Sequence, residues 1–227
     1  MSRQSHHSDV TYAVRAPLAA WLSMHAKQAA RPGGYRVLDV GCGDRRYEPL
    51  FTANGATYIG YDGDWNPLAD LHGSIDALPV EDGSFDLVIC TQVLEHLPDP
   101  VAAVRELRRA VRAGGYVLAS THGTAAYHPN PVDLWRWTHT GLETLFRGSA
   151  DWLTVVVKPG QGTAATIAMV NAQFVHLLLK RLRLPLAARP IVSLLNWTGE
   201  ALDRTIPILR EPIPGSLHAT YHIEAAA

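Results

Sequence analysis

Val37-Leu38-Asp39-Val40-Gly41-Cys42-Gly43-Asp44 runs from an apolar strand straight into a glycine turn, and Asp62 ends a second apolar run nineteen residues after Gly43. Glycine lets a backbone approach a ligand with no Cβ in the way, and a helix that follows offers unpaired N–H groups. A carboxylate closing the next strand can accept hydrogen bonds from a ribose diol. The pattern predicts a cradle for an adenosine-type cofactor; the alternative is a strand–turn junction that binds nothing.

A dinucleotide fingerprint would need a third glycine at position 46, where the chain has Arg46 preceded by Arg45. Two further segments bear on the choice: Leu78-Pro79-Val80-Glu81-Asp82-Gly83-Ser84-Phe85-Asp86-Leu87-Val88-Ile89-Cys90, and Gln92-Val93-Leu94-Glu95-His96-Leu97-Pro98-Asp99-Pro100. With Val37 to Gly43 and Asp62, they resemble a class I S-adenosylmethionine-dependent methyltransferase of the small-molecule type. Gly114 to Ser120 continues the resemblance as a fifth strand, and Pro131 to Thr138 is similar to a D-x-x-R-x-T element of one branch. The resemblance covers about residues 36 to 147. It implies S-adenosylmethionine as cofactor and a Rossmann-like methyltransferase fold: doubly wound α/β, seven strands, mostly parallel, with an antiparallel last strand. It departs from the family pattern at Arg45, where a third glycine is frequent, and at Ser74, where an acidic residue is frequent and Asp76 follows two positions later.

The length of 227 residues suits one domain, expected as an N-terminal lid helix region (1–34), a cofactor-binding core (35–158), a helical insertion or cap (159–217) and a last strand (218–227). A net charge of −1 gives no long-range attraction to polyanions, so a nucleic-acid substrate is not expected. Cys42 and Cys90 fall at the same predicted sheet edge and read as reduced, buried residues of a cytoplasmic protein. Met1 to Asp9 is polar with no apolar run behind it, and Ala164 to Leu179 is too polar to span a bilayer.

Apolar residues at helical spacing from Tyr12 to Leu22 predict an amphipathic helix behind a disordered start over residues 1 to 10. Tyr35–Val40, Thr57–Tyr61, Phe85–Thr91 and Gly115–Thr121 read as parallel buried strands, with Trp152–Val157 and Ala219–Glu224 closing the sheet. Only seven residues separate Asp62 from Asp70, too few for a crossover helix, so that helix is predicted missing or one turn long, leaving Trp65 free to stack on an adenine. Ile167–Leu182 and Ile191–Leu202 are predicted helices, with Pro185 and Pro190 as breakers.

For the cofactor, Asp62 is the candidate ribose ligand, the alternative being a cap on the turn at Gly63-Asp64. Asp39 is expected to receive loop N–H groups or face the cofactor's ammonium, and Gly41, Cys42, Gly43 and Gly63 to line the turn. The resemblance further implies Ile75, Asp76 and Ala77 beside the adenine and Thr91, Gln92 and Val93 beside the methionine portion. Methyl transfer to a hydroxyl needs alignment and a proton acceptor, which belongs beyond the fifth strand. His122 is the first candidate and His128 the second, with Asp133 and His139 also candidates and Arg136 an orienter of an anionic or polyol acceptor; the alternative is that Asp133 and Arg136 pair with each other, and Tyr127, Trp135 and Trp137 either line the acceptor pocket or pack. Glu95-His96 is similar to a metal-holding set of an RNA-methylating branch, but Gln92 occupies its first acidic position, and no metal is expected. The predicted partner is a small-molecule acceptor, methylated at an oxygen of a natural-product, sugar or lipid-linked intermediate. Lys180, Arg181, Arg183 and Arg189 beside apolar stretches permit contact with a membrane or an amphiphilic substrate. Two other classes compete: a nicotinamide-dependent oxidoreductase, and a non-catalytic scaffold that keeps the cofactor pocket.

Overall fold

The computed structural model describes residues 5–63, 65–129 and 131–227. Seven strands form one sheet in the order β3-β2-β1-β4-β5-β7-β6: β1 Tyr35–Val40, β2 Ala56–Asp62, β3 Leu71–His72, β4 Phe85–Thr91, β5 Val111–His122, β6 Thr154–Pro159 and β7 Thr220–Ala226. The first five are parallel, and β7 runs antiparallel between β5 and β6. This is the expected doubly wound α/β sheet. Strand order reverses between β1 and β4, which opens a crevice at their carboxyl ends, and that is where the glycine turn lies.

Strand alternation divides the core. Leu87 and Ile89 of β4 pack with Leu18, Leu22 and Ala26 of α1 (Tyr12–Ala29), while Val88 and Cys90 face Val104 and Leu107 of α3 (Pro100–Ala110) and Phe146 of α4 (His139–Ser149) on the other side. Asp99 caps α3 by accepting from the Ala102 N–H at 3.0 Å, and Thr138 caps α4 by accepting from the Gly141 N–H at 3.0 Å. The short α2 (Glu48–Thr52) follows the glycine turn. No described residue between β2 and β3 is helical, as the short spacing predicted.

Between β6 and β7 stands a hairpin of α5 (Thr163–Arg181) and α6 (Pro185–Thr205). The two helices cross closely because Gly199 faces Ala164, Ala165 and Ala168; a Cβ there would meet the Ala168 Cβ at 2.6 Å. Asp203 ties the base by accepting from the Ala164 and Ala165 N–H groups at 3.0 and 3.1 Å. The second helix of the hairpin begins at Pro185 and not at the predicted Ile191, because Pro190 does not break it. It falls early in the helix on an exposed face, where solvent can take the carbonyl left without a donor. The predicted disorder of residues 1 to 10 is also corrected for those described: Asn196 donates to the His7 and Asp9 carbonyls at 2.8 and 3.0 Å, and His7 Nε2 lies 2.9 Å from Glu200 Oε2. Residues 1–4 lie outside the described residues.

Candidate active site

A cavity of about 440 Å³ occupies the crevice. Asp39 of β1 with Gly41, Cys42 and Gly43 of the glycine turn, Thr91 at the end of β4 with Gln92 after it, and His122 at the end of β5 with His128 beyond it line the cavity. Two elements close it from above: Val14, Arg15 and Leu18 of α1, and Met169 and Gln173 of α5. Residues from across the predicted cofactor and catalytic sets thus meet around one cavity.

The turn is built by conformation. Gly41 has φ +78, and a Cβ there would meet Val93 Cγ2 at 2.3 Å; Val93 therefore packs against the turn instead of lining the cavity. Gly43 has φ +52 and nothing within 4 Å of the Cβ it lacks, so its face is open to a ligand. Arg45 has φ +53, the left-handed conformation that glycine adopts at no cost. Its guanidinium bonds Glu48, Asp70 and the Leu68 carbonyl at 2.7 to 3.0 Å, which fastens the loop to the segment entering β3.

Asp62 accepts from the Gly43 and Gly63 N–H groups at 2.9 and 2.8 Å and from Asn66 Nδ2 at 2.8 Å. Its carboxylate thus braces the turn from behind. Neither Asp62 and Gly63 nor Ile75, Asp76 and Ala77 are on the cavity wall, and Asp76 is exposed. Trp65, offered as an adenine platform, is 72 % exposed and lies over Gly63.

Asp39 is the sharper finding. It is 1 % exposed, accepts from the Tyr58 hydroxyl where loop N–H groups were expected, and leaves Oδ1 with no partner. Burial, against the Tyr58 hydrogen bond, pushes its carboxyl up to about 7. Gln92, at φ +57, leaves a second buried acceptor, Oε1, unpaired on the same wall. Buried polar atoms are nearly always satisfied, so two orphaned acceptors on residues of one cavity lining fit a ligand that brings donors there. The ammonium of S-adenosylmethionine is such a donor.

Across the cavity, His122 Nδ1 lies 2.9 Å from Oε1 of Glu95, which is fully buried. The two atoms are close but not aligned as donor and acceptor, and both count as unpartnered. Thr121 Oγ1 donates to the other Glu95 oxygen at 2.9 Å. Burial, the largest single influence, works to raise the Glu95 carboxyl, yet the adjoining His122 ring, a backbone N–H and the Thr121 hydroxyl together hold the group below its ordinary range. His128 stacks on His122 at 4.7 Å between ring centroids, and burial together with His122 lowers its pKa. Ligand atoms of Glu95, His122 and His128 all lie within 4.8 Å of one another, a set able to hold a divalent ion.

The D-x-x-R-x-T element builds the roof of this region. Asp133 accepts from the His128 N–H at 3.0 Å and pairs with Arg136 at 2.7 Å, while Arg136 donates to the Ala125 and Ala126 carbonyls at 3.3 and 3.0 Å. Thr138 caps α4. Asp133 and Arg136 therefore pair with each other and pin the loop that carries His128, and neither is on the cavity wall. His139 Nε2 lies 3.0 Å from the Val157 carbonyl, and Tyr127 is 78 % exposed. Sequence reading did not single out Tyr58 as the partner of Asp39, Glu95 as the partner of His122, or Met169 and Gln173 as cavity residues. Only the two-residue alternation of β2, which places Tyr58 opposite Val37 next to Asp39, carried a signal for the first of these.

Residues 9–150 match the family profile described as a methyltransferase domain. The chain belongs to that family. The match agrees with the methyltransferase resemblance of its segments and disfavours the oxidoreductase alternative. A ubiquinone biosynthesis O-methyltransferase of Escherichia coli O157:H7 is 36 % identical over 115 residues, covering 44 % of this chain and 48 % of the relative. The chain thus spans about half the length of the curated relatives it matches. Among solved structures, a SAM-dependent methyltransferase from Archaeoglobus fulgidus aligns with a TM-score of 0.56 and 17 % identity, covering 94 % of both chains. The [4+2]-cyclase SpnF aligns with a TM-score of 0.54 and 16 % identity over 92 % of this chain and 80 % of its own. At such identities the likeness is one of fold. No helix among the described residues is long and apolar enough to cross a membrane.

Proposed function

We propose that this chain transfers the methyl group of S-adenosylmethionine to an oxygen of an amphiphilic small molecule, a natural-product, sugar or lipid-linked intermediate, with His122 drawing off the hydroxyl proton. The observation that carries it is the pairing of His122, on the cavity wall, with the fully buried Glu95 behind it. Displacement at a sulfonium needs the nucleophile in line and dry, and the protein's part is alignment and removal of one proton. Asp39 and the open face of Gly43 hold the donor on one side of the cavity, and His122 stands on the other. Glu95 would steady the imidazolium formed as the proton moves, and the loop clamped by Asp133 and Arg136 positions His128 against the ring. The apolar Leu18 and Met169 in the cavity roof suit an acceptor with an apolar body. The name of the Escherichia coli relative supports oxygen as the methylated atom.

The test is S-adenosylhomocysteine formation against a panel of phenolic, glycosyl and polyprenyl acceptors. A turnover unchanged by His122→Asn, at unchanged cofactor affinity, would remove the proposed proton acceptor.

The out-of-line contact between Glu95 Oε1 and His122 Nδ1 favours one second mechanism: Glu95, His122 and His128 hold a divalent cation that binds the acceptor oxygen and lowers its pKa. The two mechanisms separate with a chelator. Proton transfer to His122 survives it, whereas turnover that stops and returns on adding back metal assigns the cluster to the cation.

A further inference from the structure

Between Asp151 and Glu200 the chain has no acidic residue but five cationic ones, Lys158, Lys180, Arg181, Arg183 and Arg189, in a protein whose net charge is −1. Four of them cluster about the turn of the α5–α6 hairpin, and none of those four enters an ion pair among the described residues. Interleaved with them are Leu177, Leu182, Leu184 and Leu186, exposed by 66, 58, 56 and 73 %. The apolar surface continues up the helices at helical spacing, as Ile167, Val170 and Phe174 on α5 and as Ile191, Leu194 and Trp197 on α6. Exposed leucines among unpaired arginines and lysines match a surface that offers anionic headgroups above acyl chains, because each cation gains from the negative potential while the leucines leave water.

A second cavity, of about 440 Å³, runs beneath this tip between Leu186, Arg189 and His176 of the hairpin and Asp9 of the N-terminal segment. Thr11 and Arg15 line both it and the cofactor cavity. The two cavities thus adjoin across Thr11 and Arg15.

We infer that the hairpin tip docks on an anionic phospholipid bilayer and that the groove under it admits a membrane-resident acceptor to the active site. The docking stands on the hairpin alone; the admission of an acceptor rests on the proposed acceptor methylation.

The full chain should co-sediment with vesicles of phosphatidylcholine and phosphatidylglycerol (7:3), and far less with phosphatidylcholine alone. Lys180→Glu/Arg181→Glu/Arg183→Glu and Leu182→Ser/Leu184→Ser should each lower the bound fraction at least about tenfold. Calorimetric affinity for S-adenosylhomocysteine, unchanged in both variants, certifies their fold. Failure of wild-type protein to bind the anionic vesicles overturns docking, and so does a wild-type dimer, seen by sedimentation equilibrium, that the leucine variant dissociates while vesicle binding persists. For the groove, membranes are incubated with methyl-tritiated S-adenosylmethionine. Label in the organic extract with wild type, reduced at least about tenfold in the charge variant, is expected from loss of docking. Equal labelling by that variant overturns the route. No labelling by a wild type that binds vesicles overturns the membrane-resident acceptor and leaves docking standing.

Discussion

The proposed seat of the cofactor's ammonium at Asp39 predicts a pH limit on cofactor binding. With its carboxyl at about 7 and one oxygen unpartnered, the group is half protonated in the free protein at neutral pH. An ammonium at Oδ1 pairs with the carboxylate and not with the acid, so cofactor binding must expel the proton wherever the free protein holds one. The ionised fraction falls from about three quarters at pH 7.5 to about 3 % at pH 5.5, so the dissociation constant for S-adenosylhomocysteine should rise about 25-fold over that interval, about 2 kcal/mol. The carboxyl becomes ionised on binding, so affinity is full above the free-protein value and fades as pH falls through it.

Isothermal titration calorimetry checks this in two buffers of different ionisation enthalpy, which also count the protons released: nearly one per site at pH 5.5 and about a quarter at pH 7.5. His128 also faces the cavity, so Asp39→Asn is the control that isolates the carboxyl. That variant should bind about 10- to 100-fold more weakly at pH 7.5, from the loss of one charge-assisted hydrogen bond, and its pH dependence should be shallow. A wild-type affinity flat from pH 7.5 to 5.5 with no proton release would refute the placement of the ammonium at Asp39.

Four further outcomes follow from the geometry. Glu95→Gln should lower kcat by about 10²-fold or more and move the acid limb of its pH profile, with KM for the cofactor unchanged, in steady-state assays; an unmoved limb separates Glu95 from the proton path. Gly41→Ala places a methyl into Val93 at a backbone angle of +78°, and should cost about 1–3 kcal/mol in thermal or denaturant unfolding together with weaker cofactor binding. Arg136→Ala releases the Ala125 and Ala126 carbonyls and should raise KM for the acceptor more than it lowers kcat, since the loop and not the chemistry is loosened. His222, buried near His25, has its pKa pushed down to about 4, chiefly by burial. The unfolded chain takes up that proton near pH 6.5, so roughly 3 kcal/mol of stability is lost as pH falls from about 6.5 to 4, which urea titrations of wild type and His222→Gln would separate.

The sheet was legible because its signals are local and repeated. Continuous apolar runs such as Leu87 to Cys90 can be buried on both faces only in a parallel sheet covered by helices, and the spacing from Asp62 to Asp70 leaves no room for a crossover helix. The beginning of the fifth strand was missed because Val111 to Ala113 continues the polar–apolar pattern of α3 before Gly114 turns the chain. Pro190 misled for a related reason: a breaker is decided by the carbonyl one turn before it, and whether that carbonyl meets solvent is a tertiary fact.

The candidate site was legible only in part, because a motif fixes which residues come near a ligand without fixing what each side chain bonds. Asp62 has the position of a ribose ligand, but both its oxygens receive donors from Gly43, Gly63 and Asn66, and Asn66 reaches it from a loop that no periodicity describes. Asp39 is the converse case. Its sequence position suggested a loop brace or a partner for an ammonium; β2 delivers Tyr58 to one of its oxygens and leaves the other without a partner, on a residue that lines the cavity. Of the two readings the sequence left open for each, the geometry favours the turn brace for Asp62 and leaves the ammonium reading open for Asp39. A buried carboxyl with one oxygen left without a donor costs stability in the free protein, and a ligand carrying an ammonium would relieve that cost. Selectivity for a positively charged donor can therefore reside at Asp39, while the glycine turn supplies only the room.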